Sequence, residues 1–453
     1  MIRICIGNIG PFESTSIEIK PLTILIGKNS VGKSLLLYLL WALASAVPAL
    51  DEVESGCEEV SKVTEKVVEK VQKGENPEEE IKQALPIFYE KILKEAIRIG
   101  IEERIRYAFG VEPKELVKIG KEKALIKIQS DCAKLEIAIS NTVELIDVDL
   151  CLDKMLNALH VKVLRRGAIE VEYEDLYEEF EIRSVADVNN IIVQLFVYHI
   201  AHVFDVFILT TSEISTLLPD SRAGITRTVL KPYPVTGIPL GVDEEYKSMY
   251  FRLAEQLYRE PQVAGQVLNT AKPLFEELGA VPEVRFEAGA YTVYIRTWTG
   301  KVLPFSMAPS GVREVLTTVL ALATPYDIKN VFVEEPEAHL HPRALKFLTK
   351  LIAWSINTRS KRVVVTTHSD YLISYLNNLI IASRLPNEKL SKLDLSMEEV
   401  LRPDDVAVYL VKTVNGNAVI EPVQVTEHGI LEEEFSKIAE ELLSERDKIY
   451  AEV

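Results

Sequence analysis

Apolar and polar side chains alternate over residues 2–6 and 15–19 on either side of a turn at 8–12, a spacing that predicts a β-hairpin. The short apolar run 21–26 that follows reads as a buried strand, and the longer apolar run Leu35 to Val47 as a buried helix. Beyond Val47 the pattern changes. From Asp51 to Phe109 the chain is rich in Glu and Lys, with Val53, Val60, Val63, Val67 and Val71 at helical spacing, and Gly74-Glu75-Asn76-Pro77 divides this stretch into two helices. At about 1.5 Å per residue, arms of roughly 20 to 30 residues reach only about 30–45 Å, a short helical projection and not a long coiled coil.

A period of two then takes over. Leu116 to Ile139 predicts the strands LVKIG, ALIKIQ and KLEIAI, and Val161 to Ile182 continues in the same style, giving a small antiparallel sheet beside the helices. Ile191 to Leu209 predicts a buried helix running into a strand; its Gln194, His199, His202 and Asp205 would be costly in lipid. Leu35 to Leu50 is likewise too short for a comfortable membrane span. A helical stretch, Glu244 to Leu278, and a hairpin, Val284 to Val302, come next. Two strands of the parallel type, NVFVEE and RVVVTTH, each end in polar residues. The tail, Asp405 to Val425, predicts a last hairpin before an acidic closing helix.

Length and composition narrow the picture. With 453 residues, 47% hydrophobic and 26% charged, the chain reads as soluble and globular with two or three domains. A net charge of −17 argues against a protein that coats nucleic acid over its whole surface. Local basic clusters remain, Lys114 to Lys134 and the pair Arg165, Arg166, and each reads first as a solvated charged face. Cys5, Cys57, Cys132 and Cys151 form no CxxC pair, so neither a zinc site nor a disulfide framework is expected, and a reducing cytosol is the simplest location. The opening MIRICIGNIG lacks the layout of a signal peptide.

Between the strand at 21–26 and the helix from Leu35 lies GKNSVGKS: Gly27, Lys28, Asn29, Ser30, Val31, Gly32, Lys33 and Ser34. In that context it predicts a phosphate-binding loop. Glycines let successive backbone N–H groups turn inward around a triphosphate, and the helix presents its positive end. Lys33 would reach the phosphates and Ser34 a magnesium ion. The run NVFVEEPEAHLHP puts Glu334 and Glu335 at the end of an apolar strand, where open α/β sheets bind ligands. An acidic cluster alone is an ordinary solvated loop. Beside a phosphate loop, Glu334 would hold hydrated magnesium and Glu335 would orient and deprotonate the attacking water. His368, ending the strand VVVTT, would donate a hydrogen bond to developing charge on the γ-phosphate. In SMAPSGVREVLTTVLAL, Ser310 is a plausible N-cap.

Taken in order, GKNSVGKS, SMAPSGVRE, VFVEEPEAHLHP and VVVTTHSDYL resemble the ABC-type ATPase heads of the OLD-like and SMC-like group of AAA-family ATPases, as does the opening IGNIGPFESTSIEIKPLTILIGKNSVGKS. The resemblance covers roughly residues 1–50 and 205–380. It implies an α/β P-loop fold: a mostly parallel sheet with a flanking antiparallel β-subdomain and an inserted helical and β region. It implies a discontinuous head over 1–50 and 185–400, an insertion over 51–184 and a C-terminal hairpin and helix over 401–453. It also implies ATP and Mg2+ as ligands, and a homodimer in which Ser310 and Gly311 contact the γ-phosphate bound to the other copy.

The pattern departs from the family at three places. APSG stands where transporters have two adjacent glycines, Glu334 replaces an aspartate, and the D-loop aspartate position falls on His341. No Q-loop glutamine is evident, and the PDSR segment with Arg222 is expected near the site with no assigned role. The chain shows neither a zinc hook nor the acidic spacing of a Toprim nuclease, so a nuclease would be a separate polypeptide. The leading expectation is magnesium-dependent ATP hydrolysis gated by dimerisation and driving an effector such as a nuclease or toxin, with a DNA requirement left open and no membrane partner. A slow, nucleotide-gated scaffold is the alternative, and a transporter energy subunit a weaker one.

Overall fold

In a computed structural model, all residues except 54–56, 212, 230–240, 288–289, 432–433 and 453 are described. The fold is α/β, with a large mixed sheet and small antiparallel ones. The chain divides into two units, one of residues 1–16 and 39–212, the other of 17–38 and 213–453.

The second unit is built on parallel strands. Leu22–Ile26 is buried throughout and lies between Arg362–Thr367 and Val406–Val414, parallel to both. Asn330–Glu334 pairs in parallel with Arg362–Thr367, and Ser215–Leu218 with Asn330–Glu334. All of these central strands are rich in Val, Ile and Leu because both faces are covered, which removes the alternation seen elsewhere. The register is what positions a site: Ile26 faces Thr367, Thr366 faces Glu334, and Val333 faces Leu218. Four carboxyl ends therefore stop at one level. The two predicted parallel strands are present, as is the tail hairpin, Val406–Val414 with Asn417–Val423. Its first strand is inserted beside Leu22–Ile26, a parallel pairing between segments almost 400 residues apart that local pattern does not reveal. The three strands Ala280–Glu287, Ala290–Thr297 and Val302–Pro304 form a separate antiparallel sheet.

In the first unit, Ile2–Ile9 pairs antiparallel with Ala124–Gln129, which pairs with Lys134–Ile139 and then Val143–Asp149. Val60, Thr64, Val67 and Val71 are the buried stripe of the helix Glu58–Lys73, whereas Val63 is half-buried and Val53 precedes the helix. Gly74, at φ 81, ends that helix, and Glu78–Phe88 begins the next. It runs on through a π-helical turn, Tyr89–Leu93, into Lys94–Phe109. His160–Arg165, Ala168–Tyr173 and Leu176–Glu181 form their own three-stranded sheet.

Three local expectations are corrected. The segment LVKIG is not a strand: Pro113–Leu116 is a short 3-10 turn, Gly120 has φ 84, and only Val117 bridges to Ile9. The helix Val185–Val203 does not run into a strand at 204–209, because Asp205, Val206 and Leu209 take φ of 50, 52 and 57, while the backbone N–H groups of Leu209 and Thr210 donate to Leu43 and Ala44. Ser310 is not an N-cap. It is the first residue of the helix Ser310–Ala323, with Pro309 in the cap position and no side-chain cap. Among the described residues, no helix is long and apolar enough to cross a membrane.

Candidate functional site

Strand, glycine loop and helix follow in turn from Leu22 to Ala44. Gly27 and Gly32 take φ of 143 and 104, and Ser30 takes 62, so the loop uses the left-handed conformations that turn consecutive N–H groups to one side. Gly27 is also sterically required: a Cβ there would lie 2.1 Å from the Val411 carbonyl oxygen. Lys28, Asn29, Ser30 and Ser34 are exposed, Val31 is buried, and Lys33 is 6% exposed. The Lys33 ammonium donates to the carbonyls of Gly27 at 2.8 Å and Lys28 at 2.7 Å. Burial pulls its pKa down, while Glu335, Glu337 and Glu334 oppose that shift by attraction. The structure thus brings the lysine and the acids into one electrostatic site.

Glu334 ends its strand nearly buried, at 4% exposure. Its Oε2 accepts from the Tyr38 hydroxyl at 2.8 Å and from the Asp220 N–H at 3.2 Å. Burial and the carboxylate raise the Tyr38 phenol's pKa strongly, so it stays a donor. Glu335 is half-buried with φ 46, and its N–H donates to Thr366 O at 3.0 Å. His368 Nδ1 lies 3.3 Å from Glu335 Oε1 and 4.0 Å from Glu337 Oε1. Glu337 Oε1 accepts from the Thr367 hydroxyl at 2.5 Å and from the His368 N–H at 3.1 Å, whereas its buried Oε2 has no hydrogen-bond partner among the described residues. Burial pushes the Glu337 carboxyl above the usual range. It does the same to Asp220, helped by Glu334 and Glu335.

The pairing of His368 with Glu335 refines the role expected for the ring. With Nδ1–H held toward Glu335, a neutral ring offers only an acceptor at Nε2. Donation to a phosphate from Nε2 then requires the doubly protonated ring beside the carboxylate.

Ser310 and Gly311 open the helix Ser310–Ala323 against the loop that follows Glu335. A Cβ on Gly311 would lie 2.7 Å from His339 O, so no larger residue fits without movement. His341 Nδ1 accepts from the Arg343 N–H and caps the next helix, Pro342–Arg359, as an aspartate would. Sequence reasoning missed Tyr38 and Glu337 and reached Asp220 only as part of the PDSR segment expected near the site. Glu337 stands within the EEPEAHLHP run and was detectable there as a third acid, while Tyr38 and Asp220 carry no spacing signal.

The oxygen-only set of the Ser34 hydroxyl and the Glu334 carboxylate suits a hard divalent cation such as magnesium. Both hydrogen bonds to Glu334 fall on Oε2, so Oε1 is free of them among the described residues. Among the same residues, no cluster of three or more His, Cys, Asp or Glu could hold a metal by itself.

Residues 1–193 match the family model described as "AAA ATPase domain", and residues 178–374 match "AAA domain, putative AbiEii toxin, Type IV TA system". No curated protein matches the chain. Similar solved structures include an SMC head domain from Thermotoga maritima, 11% identical with a TM-score of 0.36, over 93% of this chain and 98% of that one. Another is an Smc head domain with an extended coiled coil bound to the C-terminal domain of ScpA, derived from Pyrococcus furiosus, 10% identical with a TM-score of 0.42, over 98% and 100%.

Proposed function

We propose that this chain, which matches AAA ATPase domain models at 1–193 and 178–374, is an ABC-type ATPase that binds ATP with magnesium and hydrolyses it in a head-to-head homodimer. The observation that carries the reading is the level at which Lys33, Glu334, Glu335 and His368 meet, at the carboxyl ends of paired parallel strands. The 27–34 loop cradles the triphosphate through backbone N–H groups, and Lys33 trades its two loop carbonyls for phosphate oxygens. Ser34 and Glu334 would hold a magnesium ion, which would supply neutralisation of phosphate charge. Glu335 takes a proton from a water molecule as its oxygen bonds to the γ-phosphorus. The bond from that phosphorus to the β,γ-bridging oxygen breaks, and ADP leaves with the electron pair. His368 orients Glu335 and, when doubly protonated, donates to the γ-phosphate. Ser310 and Gly311 act on the nucleotide of the second copy.

The dimer would form on ATP binding and part after hydrolysis, passing that change to a separate effector. The toxin–antitoxin wording of the matched model at 178–374 supports a link to toxin action. Glu335→Gln is expected to lower phosphate release by roughly 10²–10⁴-fold while ATP affinity holds. Wild-type turnover in that variant overturns the assignment.

A further inference from the structure

Arg222 takes no part in the steps above, yet its surroundings are built at high cost. Its side chain is 1% exposed and that of Glu314, on the helix Ser310–Ala323, 2%. Burying such a pair gives little or no net stability, because desolvation offsets the attraction. Burial pushes the Glu314 carboxyl upward, and Arg222 is the main influence holding it down. A pair of this kind does more to fix an arrangement than to stabilise the fold.

The arrangement it fixes joins three segments. One terminal nitrogen of Arg222, Nη1, donates to the carbonyls of Leu218 at 3.1 Å, Pro219 at 2.7 Å and Glu334 at 2.6 Å. The other, Nη2, donates to Glu335 O at 3.1 Å. Nε lies 2.9 Å from Glu314 Oε2, an ion pair without hydrogen-bond alignment, and Glu314 Oε1 accepts the Ala223 N–H at 3.0 Å. A guanidinium is a planar, rigid fork, so a shift of Glu314 displaces the group that holds the backbone of Glu334 and Glu335. A second link runs through Gly311, which abuts His339 O. Glu335 and His339, at φ 46 and 57, bracket a loop held in conformations that non-glycine residues adopt reluctantly.

We propose that Arg222 is a positioning residue that couples the helix Ser310–Ala323 to Glu335, so that engagement of Ser310 and Gly311 by the second copy's triphosphate sets Glu335 in its own site. This rests on the reading that Glu335 is the base and that the Ser310 end completes the other copy's site. Each protomer's base is then wired to the helix that senses its partner's nucleotide. The two sites fire together, and turnover rises cooperatively with ATP.

The test uses the full chain, with steady-state turnover measured over a range of Mg·ATP and binding of a fluorescent ATP analogue measured separately. Wild type is expected to give a sigmoidal turnover curve. Arg222→Lys keeps the charge but loses the fork. It should lower kcat by about 10²-fold, as expected for a small misplacement of a catalytic group, make the curve hyperbolic and leave analogue affinity unchanged. Glu314→Gln, nearly the same shape, should do the same.

A hyperbolic wild type, wild-type kcat in Arg222→Lys, or affinity falling in step with kcat overturns the proposal. So does unfolding of both variants below the assay temperature, because the pair is then a folding staple. Glu335→Gln run alongside separates the two readings. If it keeps full turnover, the reading of Glu335 as the base fails; if it is inactive while the Arg222 and Glu314 variants behave as wild type, only the coupling fails.

Discussion

Lys33 shows how a single side chain is held ready for a ligand. Its ammonium is nearly buried and donates to two carbonyls of its own loop, while three carboxylates keep the charge favourable. Lys33→Ala is expected to abolish tight Mg·ATP binding in a calorimetric titration, and retained affinity would remove the loop from the account. Gly27 is constrained twice over, by a φ of 143 and by the Val411 carbonyl 2.1 Å from any added Cβ. Gly27→Ala should cost about 3 kcal/mol or more in urea unfolding, as overpacking against backbone does; an unchanged midpoint would contradict the close approach. At this scale the sequence was legible where chemistry is contiguous. GKNSVGKS, the glutamate pair and TTH each carry their signal within a few residues. Tyr38 reaches Glu334 from 296 positions away, and no local spacing encodes that meeting.

Strand ends, not strand bodies, decide what this sheet does, and the opposite end shows the same rule at work. Lys361 precedes the strand Arg362–Thr367 and is 2% exposed, donating to Ile328 O at 2.9 Å. Burial, with Lys329 and Arg359 nearby, pushes its pKa down from 10.5 to about 7. A depressed folded-state pKa costs stability as pH falls from the unfolded value through the folded one. The penalty is therefore absent above pH 10.5 and fully present below about 7. Lys361→Met should raise the urea midpoint most at pH 6–7 and progressively less toward pH 10, the lost bond to Ile328 being a constant offset. A pH-independent difference would show that the ammonium is not desolvated. Element type was readable from pattern wherever one face is buried, as in Val60, Val67 and Val71. It failed at 116–120 and 204–209, where apolar residues lie on turns whose left-handed backbone the side-chain pattern does not express.

A whole molecule that works as two copies should be separable into complementary halves. In the proposed dimer each triphosphate lies between the Lys33 loop of one protomer and the Ser310 end of the other. Nothing in the linear sequence states this second-copy requirement; it enters through the resemblance of SMAPSGVRE to a family motif, while the structure of one chain supplies the half-site and the Arg222 link behind it. Lys33→Ala and Ser310→Arg each disable one wall, and homodimers of either have two defective sites. A mixed dimer has one site with both walls intact, made of the Lys33 loop from the Ser310→Arg chain and the Ser310 end from the Lys33→Ala chain. The decisive measurement is ATP-dependent association of the two variants, each alone and then mixed: association only in the mixture is the result expected here, and a mixture as monomeric as its components would contradict a triphosphate site shared between two copies.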